Sequence, residues 1–223
     1  MSARELVFEH VGHRYSVDGA PLPSVSRVLE PLSVWLEYIK GGAGTGGGIV
    51  DRDVLRAKAA LGTAAHYAIE LDIGGELDRD SLHPAVLPYF EAWERFKREA
   101  HYIARASEFR VWHPAHQYAG TLDSAGWLDH AAALIDFKCT LDVSPTVGPQ
   151  TAAYREALIA TPGVDGSLRA LAQNARRWCL QLRPDGTYRM LALEDPNDWR
   201  VFLALLTIHH FKTLHAKHYD GPV

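Results

Sequence analysis

The chain has few cysteines, a small net charge and no long apolar run. Its 223 residues include only 2 cysteines, Cys139 and Cys179, which excludes a four-ligand iron–sulfur cluster and does not indicate a disulfide framework. No apolar segment is long enough to span a membrane, and the first residues lack the charged-then-apolar order of a leader. We therefore expect a cytoplasmic protein with no membrane partner.

The composition is sufficient for one substantial core, because 47% of the residues are hydrophobic and 22% are charged. One domain is expected over residues 1–223. Its chemical motifs lie at about 52–160, preceded by a hairpin and helix within 1–50 and followed by a hairpin and helix within 170–223.

The formal charge of −4 is unusual for a protein that binds a polyanion, since such affinity comes mainly from Lys and Arg. Five arginines in the second half of the chain either offset this charge locally or form an ordinary solvated surface. They are Arg155, Arg169, Arg176, Arg177 and Arg183.

Two aspartates and a lysine are expected to converge. Asp136 and Lys138 end an apolar run that is typical of a strand, and side chains two apart on a strand share a face, whereas Phe137 points to the other layer. Asp123 precedes Asp136 by thirteen residues, which suits two antiparallel strands joined by a turn at Asp129-His130. Carboxylates in this arrangement suit Mg²⁺ or Mn²⁺, with the lysine as a built-in cation. The alternative is a solvated salt bridge.

A histidine lies upstream in a segment with helical periodicity, from about Arg52 to Leu71, with Asp51 or Asp53 as the cap. The spacing places His66 on the apolar face, either as a site residue or as a hydrogen-bonded core residue. We interpret Gly62 as a small residue that lets this helix approach the sheet closely. Glu70, one turn after His66, either orients the imidazole or faces solvent.

A further helix is expected from residue 149. Gln150 and Tyr154 are four residues apart and therefore lie on one face of it. An amide and a phenol can both contact a phosphate backbone, although a cap partner and a core tyrosine are alternative roles for them.

Four short motifs occur in a defined order: Gly62-x-x-x-His66, Gly120-x-x-Asp123, Asp136-x-Lys138 and Gln150-x-x-x-Tyr154. Together they resemble the RecB-like branch of the PD-(D/E)xK nuclease superfamily, over roughly residues 60–156. The start of the chain is also similar to phage-encoded members. The resemblance implies an α/β fold of the mixed α+β kind, in which helices flank a central mixed sheet with a restriction-endonuclease-like core.

The resemblance also implies roles for particular residues. The expected metal ligands are His66, Asp123, Asp136 and the Phe137 carbonyl, with Lys138 as the catalytic cation beside the two aspartates. Gln150, Tyr154 and, less directly, Arg155 and Glu70 would support the site or contact DNA.

Glu108 is a further candidate, because some relatives use a glutamate on the strand before the first metal-binding aspartate. A surface ion pair with Arg105 or Arg110 is the alternative role for this residue.

The expected elements are an N-terminal hairpin, seven regular segments and a C-terminal hairpin that turns at Pro184-Asp-Gly186, followed by a final helix. Ser24 is the expected cap of the first helix. The segments are helices near 24–32, 52–71 and 85–101, strands near 103–112, 117–128 and 132–139, and the helix from 149.

Two other patterns carry weaker hypotheses. The glycine-rich run at 41–48 lacks the Lys-Ser or Lys-Thr of a nucleotide-binding loop and is expected to be a loop near the substrate. Histidines in two groups suggest zinc but lack paired cysteines, so packing and surface roles are favoured. They are His113 and His116 in one group and His209, His210, His215 and His218 in the other.

The resemblance implies a Mg²⁺- or Mn²⁺-dependent DNA exonuclease of a phage or prophage, which resects duplex ends for a single-strand annealing protein and which can be a homo-oligomer. A structure-specific endonuclease of the same superfamily is the first alternative. A nuclease-like scaffold that only binds DNA or protein is the second.

Overall fold

The computed structural model describes residues 5–40 and 52–215 of the chain. In these ranges the strands are β1 (Leu6–Glu9), β2 (Arg14–Val17), β3 (Ala20–Leu22), β4 (Ile103–His113), β5 (Tyr118–Leu128), β6 (Ala131–Lys138), β7 (Arg176–Leu182) and β8 (Tyr188–Ala192). The α-helices are α1 (Val25–Lys40), α2 (Arg52–Gly74), α3 (Leu87–Glu99), α4 (Val147–Ala160), α5 (Gly166–Asn174) and α6 (Asp198–His215). The predicted loop at 41–48, the alternative cap Asp51 and His218 lie outside the described residues.

The central sheet has five strands in the order β4-β5-β6-β7-β8. β6 and β7 are parallel, whereas the other neighbouring strands are antiparallel. A parallel pair requires a crossover connection, which α4 and α5 provide here. The predicted mixed α/β fold, a central mixed sheet flanked by helices, is therefore confirmed.

The turn between β5 and β6 is the predicted one. Leu128 pairs with Ala131, so that Asp129 and His130 form a two-residue connection. Both residues have positive φ, 43° and 70°, as a tight turn that matches the twist of its strands requires. This turn fixes the register of the hairpin that carries Asp123.

The sheet separates two apolar layers, and β6 shows the alternation most clearly. Leu134 packs with α1, α4, α5 and α6 on one side. Ile135 and Phe137 pack with α2 and α3 on the other side. Asp136 and Lys138 lie two and four residues after Leu134 and therefore share its face of β6. Phe137 points into the opposite layer, as predicted.

Several elements extend beyond their predicted boundaries. α1 continues to Lys40 instead of ending near residue 32, and the N-terminal segment has three strands in the order β1-β2-β3 instead of a hairpin alone. α5 was not predicted. The expected cap of α1 is present, because Ser24 Oγ accepts a hydrogen bond from the Arg27 amide at 3.2 Å.

Among the described residues, no helix combines the length and the apolar character that crossing a membrane requires.

Candidate metal centre

The site lies where β5 and β6 stop pairing through their backbones. The last registered pair is Ser124 with Ile135. In the next positions, the side chain of Asp123 replaces the backbone acceptor, and its Oδ2 accepts a hydrogen bond of 2.6 Å from the Phe137 amide. Burial raises the pKa of Asp123, against the opposing influence of the nearby His66 and Lys138. The strand ends therefore hold one carboxylate in a fixed position.

Asp136 and Lys138 form an ion pair on the same face of β6. Asp136 Oδ2 lies 2.6 Å from Lys138 Nζ, and only 1% of the Asp136 residue is exposed. Burial raises the pKa of Asp136 to about 6, although the lysine opposes this shift. Burial lowers the pKa of Lys138, but the two aspartates outweigh it and raise the pKa above its usual range. Within the described residues, Asp136 Oδ1 has no hydrogen-bond donor.

His66 connects α2 to this end of the sheet. Its Nε2 lies 3.1 Å from the Phe137 carbonyl oxygen, and its Nδ1 lies 3.8 Å from Asp123 Oδ2. Burial disfavours the charged imidazole, but Asp123 and Glu108 outweigh it and raise the pKa of His66 to about 9. The structure thus places the histidine against the predicted ligands.

Glu108 belongs to the same group. Its Oε1 lies 3.6 Å from His66 Nδ1, and in the β4–β5 register it stands opposite Asp123, between the pairs of Ser107 and Phe109. Its φ of 44° is a left-handed conformation that costs a non-glycine residue on the order of 1 kcal/mol. The alternative ion pair with Arg105 is wrong, since Arg105 instead pairs with Asp165 at 3.1 Å, and the ion pair that the described residues give Glu108 is the one with His66.

The donor atoms fit a divalent cation that prefers oxygen and nitrogen ligands. His66, Glu108 and Asp123 each offer one ligand atom, and these atoms lie within 4.8 Å of one another. His66 Nε2 lies within hydrogen-bond distance of the Phe137 oxygen, at 3.1 Å, so the nitrogen that faces the two carboxylates is Nδ1, at 3.6 Å from Glu108 Oε1 and 3.8 Å from Asp123 Oδ2.

The charge of the site also favours a cation. The three carboxylates of Glu108, Asp123 and Asp136 and the ammonium of Lys138 sum to −3 + 1 = −2, and the imidazolium of His66, whose pKa is raised to about 9, reduces this to −1 at neutral pH without metal. The donorless Oδ1 of Asp136 is an acceptor that a cation would satisfy. A buried excess of negative charge is costly unless it is neutralised.

A cleft of about 1320 Å³ opens over these groups, and Asp136 is not among its lining residues. The predicted site residues that line the cleft are His66, Glu70, Glu108, Asp123, Phe137, Lys138, Gln150 and Tyr154.

Gln150 and Tyr154 extend the site along α4, as predicted from their spacing. Gln150 Nε2 donates a hydrogen bond of 3.2 Å to the Tyr154 hydroxyl, and burial raises the pKa of Tyr154 well above its usual range. A Cβ on Gly120 would lie 2.5 Å from the Tyr154 ring. The glycine of the Gly120-x-x-Asp123 motif therefore makes room for the tyrosine.

The structure also locates three further residues that the sequence singled out. Gly62 does not serve close packing, because a Cβ there would meet no atom within 4 Å. Glu70 lines the cleft, but the carboxylates at the His66 imidazole belong to Glu108 and Asp123. Arg155 pairs with Glu156 at 2.9 Å and lines a separate cavity of about 310 Å³.

The other predicted basic residues also lie away from the cleft lining. Arg177 is largely buried and donates to Asp198 Oδ2 at 2.8 Å and to the Gly148 carbonyl at 2.7 Å. Arg169 donates to the Thr161 carbonyl at 3.1 Å. The hypothesis that these arginines offset the charge around the site is therefore not met at the cleft.

The histidines outside the site make ring contacts within the described residues. The ring of His113 stacks on Tyr118 and on Trp199, at centroid distances of 5.6 Å and 6.2 Å. His116 packs edge-on against Trp199 at 5.5 Å. These contacts agree with the packing role that the sequence favours.

Sequence reasoning missed two supports of the cleft. Gln181 on β7 donates to the carbonyls of Thr140 and Leu141 at 2.7 Å and 2.6 Å, which holds the segment after Lys138. Arg110 lies two residues after Glu108 on β4 and lines the cleft. Polar and apolar residues alternate along β4, and this sequence pattern was the signal that could have identified Arg110 as a residue of the cleft.

Comparison with known proteins assigns no family to this chain. No family model matches it, and no curated protein matches it. The motif residues and their geometry are therefore the basis for a function.

Proposed function

We propose that this protein is a Mg²⁺- or Mn²⁺-dependent deoxyribonuclease of the RecB-like PD-(D/E)xK type, and that it acts as an exonuclease. The observation that carries the proposal is the junction of β5 and β6. There His66, Asp123 and the Phe137 carbonyl converge beside the Asp136–Lys138 ion pair.

The residues that would hold the metal are His66, Glu108, Asp123 and the Phe137 carbonyl, with Asp136 behind them. A bound Mg²⁺ or Mn²⁺ would polarise the phosphate and lower the pKa of a water molecule. Glu108 adds a carboxylate to the expected ligand set, and its left-handed backbone keeps that carboxylate on the cleft.

Lys138 supplies the positive charge for the reaction. Its pKa is raised, so the ammonium stays protonated at neutral pH, and its position on the cleft lets it stabilise negative charge that develops on a phosphate. Tyr154 and Gln150 also line the cleft, where a phenol and an amide can donate hydrogen bonds to the backbone of a bound strand.

The test compares linear and covalently closed duplex DNA, each with Mg²⁺, Mn²⁺ or EDTA. We expect nucleotides to be released from the linear DNA only, and only with metal. Nicking of the closed circle would instead identify an endonuclease. If neither substrate is cleaved in the presence of Mg²⁺ or Mn²⁺ although the protein binds DNA, nuclease activity is contradicted and a scaffold is favoured.

Two variant pairs assign the activity to the site. Lys138→Ala and Asp136→Asn are expected to abolish cleavage. The controls Lys212→Ala and Asp80→Asn change exposed residues of the same types outside the cleft lining and are expected to cleave normally. Normal turnover by Lys138→Ala would contradict the proposed role of the lysine.

Calorimetry with Mn²⁺ separates binding from catalysis. The wild-type protein is expected to bind Mn²⁺, whereas Asp123→Asn and His66→Gln are expected to bind it at least tenfold more weakly. A wild-type protein that does not bind Mn²⁺ would contradict the metal centre itself.

The proposed cellular role is resection of duplex DNA ends in the cytoplasm of a phage host, upstream of a single-strand annealing protein. Such a protein can work as a homo-oligomer, and light scattering in the presence and absence of duplex DNA measures that state.

A further inference from the structure

One wall of the cleft is formed by the N-terminal sheet and β4, and it carries an arginine that forms no salt bridge with the described residues but opposes the rise that burial causes in the pKa of Glu70, which lines the same cleft. The guanidinium of Arg110 lies over the ring of Phe8, 4.7 Å from its centroid. Arg110 is exposed and forms no salt bridge with the residues that the structure describes. Its position is therefore set by a cation–π contact, which leaves its hydrogen-bond donors directed to solvent.

Two histidines flank the same ring. The rings of His10 and His13 meet Phe8 edge-on, at centroid distances of 4.9 Å and 5.0 Å. His13 Nε2 lies 3.0 Å from the Tyr15 hydroxyl, which also contacts the Thr121 hydroxyl at 2.8 Å. Because Tyr15 is buried, this chain of contacts attaches the histidine to the central sheet.

The permanent charge of the group is that of Arg110. Burial lowers the pKa of His13, with a smaller contribution from His10 in the same direction, while Glu108 opposes both. The His13 imidazole is therefore neutral at neutral pH and serves as a hydrogen-bonding group. Phe8, His10, His13 and Arg110 all line the cleft, so we name these four residues the arginine–histidine group.

The distance to the metal centre suits a neighbouring phosphate. Arg110 follows Glu108 by two positions on β4, which corresponds to a rise of roughly 7 Å along the strand. A phosphodiester held at the metal centre would thus have the next phosphate of its strand near the arginine. A planar guanidinium can donate two parallel hydrogen bonds to such a group.

We infer that the arginine–histidine group is an anion subsite, which binds a phosphate of the nucleic-acid strand next to the phosphate at the metal centre. The inference rests on the proposed function, since it places a nucleic acid in the cleft. It assigns the N-terminal sheet to substrate binding and gives Arg110 a role that its contact with Phe8 alone does not explain.

The test is fluorescence anisotropy with a short labelled DNA duplex in EDTA, which prevents cleavage. Arg110→Gln is expected to weaken binding about tenfold and to reduce the slope of log affinity against log salt by about 1. Arg98→Gln is the matched control, because Arg98 is an exposed arginine on α3 outside the cleft lining. Unchanged affinity in Arg110→Gln, or an equal loss in Arg98→Gln, would overturn the subsite.

A second variant tests whether the effect of Arg110→Gln comes from damage to the N-terminal sheet. Arg110→Lys keeps the charge and its cation–π contact but lacks the planar fork, so about a threefold loss of affinity with the normal salt slope is expected. Thermal melts establish that each variant is folded. If Arg110→Gln does not fold, wild-type affinity in folded Arg110→Lys overturns the inference.

The duplex ends identify which phosphate is bound. A loss on duplexes with either phosphorylated or hydroxyl ends supports an internal phosphodiester, and a loss only on phosphorylated ends supports a terminal phosphate. Asp136→Asn separates this inference from the proposed function, because it is expected to stop cleavage in Mg²⁺ while the Arg110→Gln effect on binding persists. Cleavage by Asp136→Asn would contradict the nuclease mechanism and leave the Arg110 binding result intact.

Discussion

Asp123 Oδ2 accepts a hydrogen bond from the backbone amide of Phe137, at 2.6 Å, at the point where β5 and β6 separate. This one carboxylate therefore has a structural role as well as a place among the candidate metal ligands.

Removal of that carboxylate should change stability as well as chemistry. Asp123→Ala is expected to abolish Mn²⁺ binding and to lower the free energy of unfolding by about 1–3 kcal/mol, because the Phe137 amide loses its acceptor in a buried place. Urea denaturation and calorimetry measure the two effects. Asp142→Ala, at an exposed position on the cleft, is the control, and an equally stable Asp123→Ala would contradict the structural role.

Substitution of Gly120 should disturb the part of the cleft that Tyr154 lines. In Gly120→Ala the new Cβ overlaps the ring of Tyr154, so the tyrosine must move and the fold is expected to lose about 1–3 kcal/mol. DNA cleavage should fall with it. Gly166→Ala is the control, since its Cβ meets no atom within 4 Å. A stable, fully active Gly120→Ala would show that the close contact is not required.

The backbone of Glu108 predicts opposite effects on stability and binding. Glu108→Gly relieves the positive φ and is expected to raise the free energy of unfolding by about 1 kcal/mol, while Mn²⁺ affinity falls. Glu108→Gln keeps the strain and isolates the loss of charge. Denaturation in EDTA and calorimetry with Mn²⁺ report the two changes. Mn²⁺ affinity at the wild-type level in both variants would remove Glu108 from the metal centre.

The metal-free protein should become less stable as pH rises. The pKa of Asp136 is about 6 in the folded protein, above its ordinary 3.8. The stability that its protonation contributes is therefore complete below pH 3.8 and is lost as pH rises through 6. His66 has a folded pKa of about 9, above 6.5, so its contribution is complete below pH 6.5 and is lost as pH passes 9. Melting temperatures in EDTA should therefore fall from pH 4 to pH 9.

Variants and metal test the origin of this pH dependence. Asp136→Asn should flatten the acidic part of the profile, and His66→Gln the alkaline part. Mn²⁺ should raise the melting temperature most at alkaline pH, where the ligands are deprotonated. A melting temperature in EDTA that does not change with pH would contradict the raised pKa values.

Gly62 provides a prediction in the stabilising direction. Gly62→Ala adds a Cβ that meets no atom within 4 Å, inside a helix where glycine costs about 1 kcal/mol relative to alanine. The variant is expected to unfold at higher urea concentration than the wild type. Loss of DNA cleavage in a stabilised Gly62→Ala would show that the open space beside Gly62 is used by the substrate.

Local patterns predicted the elements that carry the motifs. The stripe of Phe90, Trp93 and Phe96 is buried on α3, and the turn at Asp129-His130 lies where the spacing placed it. Periodicity and turn chemistry are short-range signals, so they can be recognised in a single sequence. α5 was missed although Asp165 caps it through the Leu168 amide, because a helix of nine residues offers little periodicity.

Long-range contacts are what the sequence could not supply. The proximity of His66 and Phe137, which are 71 positions apart, was expected only from the resemblance to a family and from no local pattern. The burial of Arg177 depends on Asp198, which belongs to another element and carries no motif. No local pattern distinguishes such an arginine from one on a solvated surface, and for this reason the sequence left both roles open for the basic cluster.

The segment that carries the four motifs, roughly residues 60–156, cannot be excised as a minimal fragment. Its helix α4 shares a buried core with Val28 of α1 and Phe202 of α6, which flank the segment on both sides. A fragment limited to that segment would expose this apolar surface and would leave β6 without β7, its parallel partner. Engineering that preserves the centre must therefore keep both flanks.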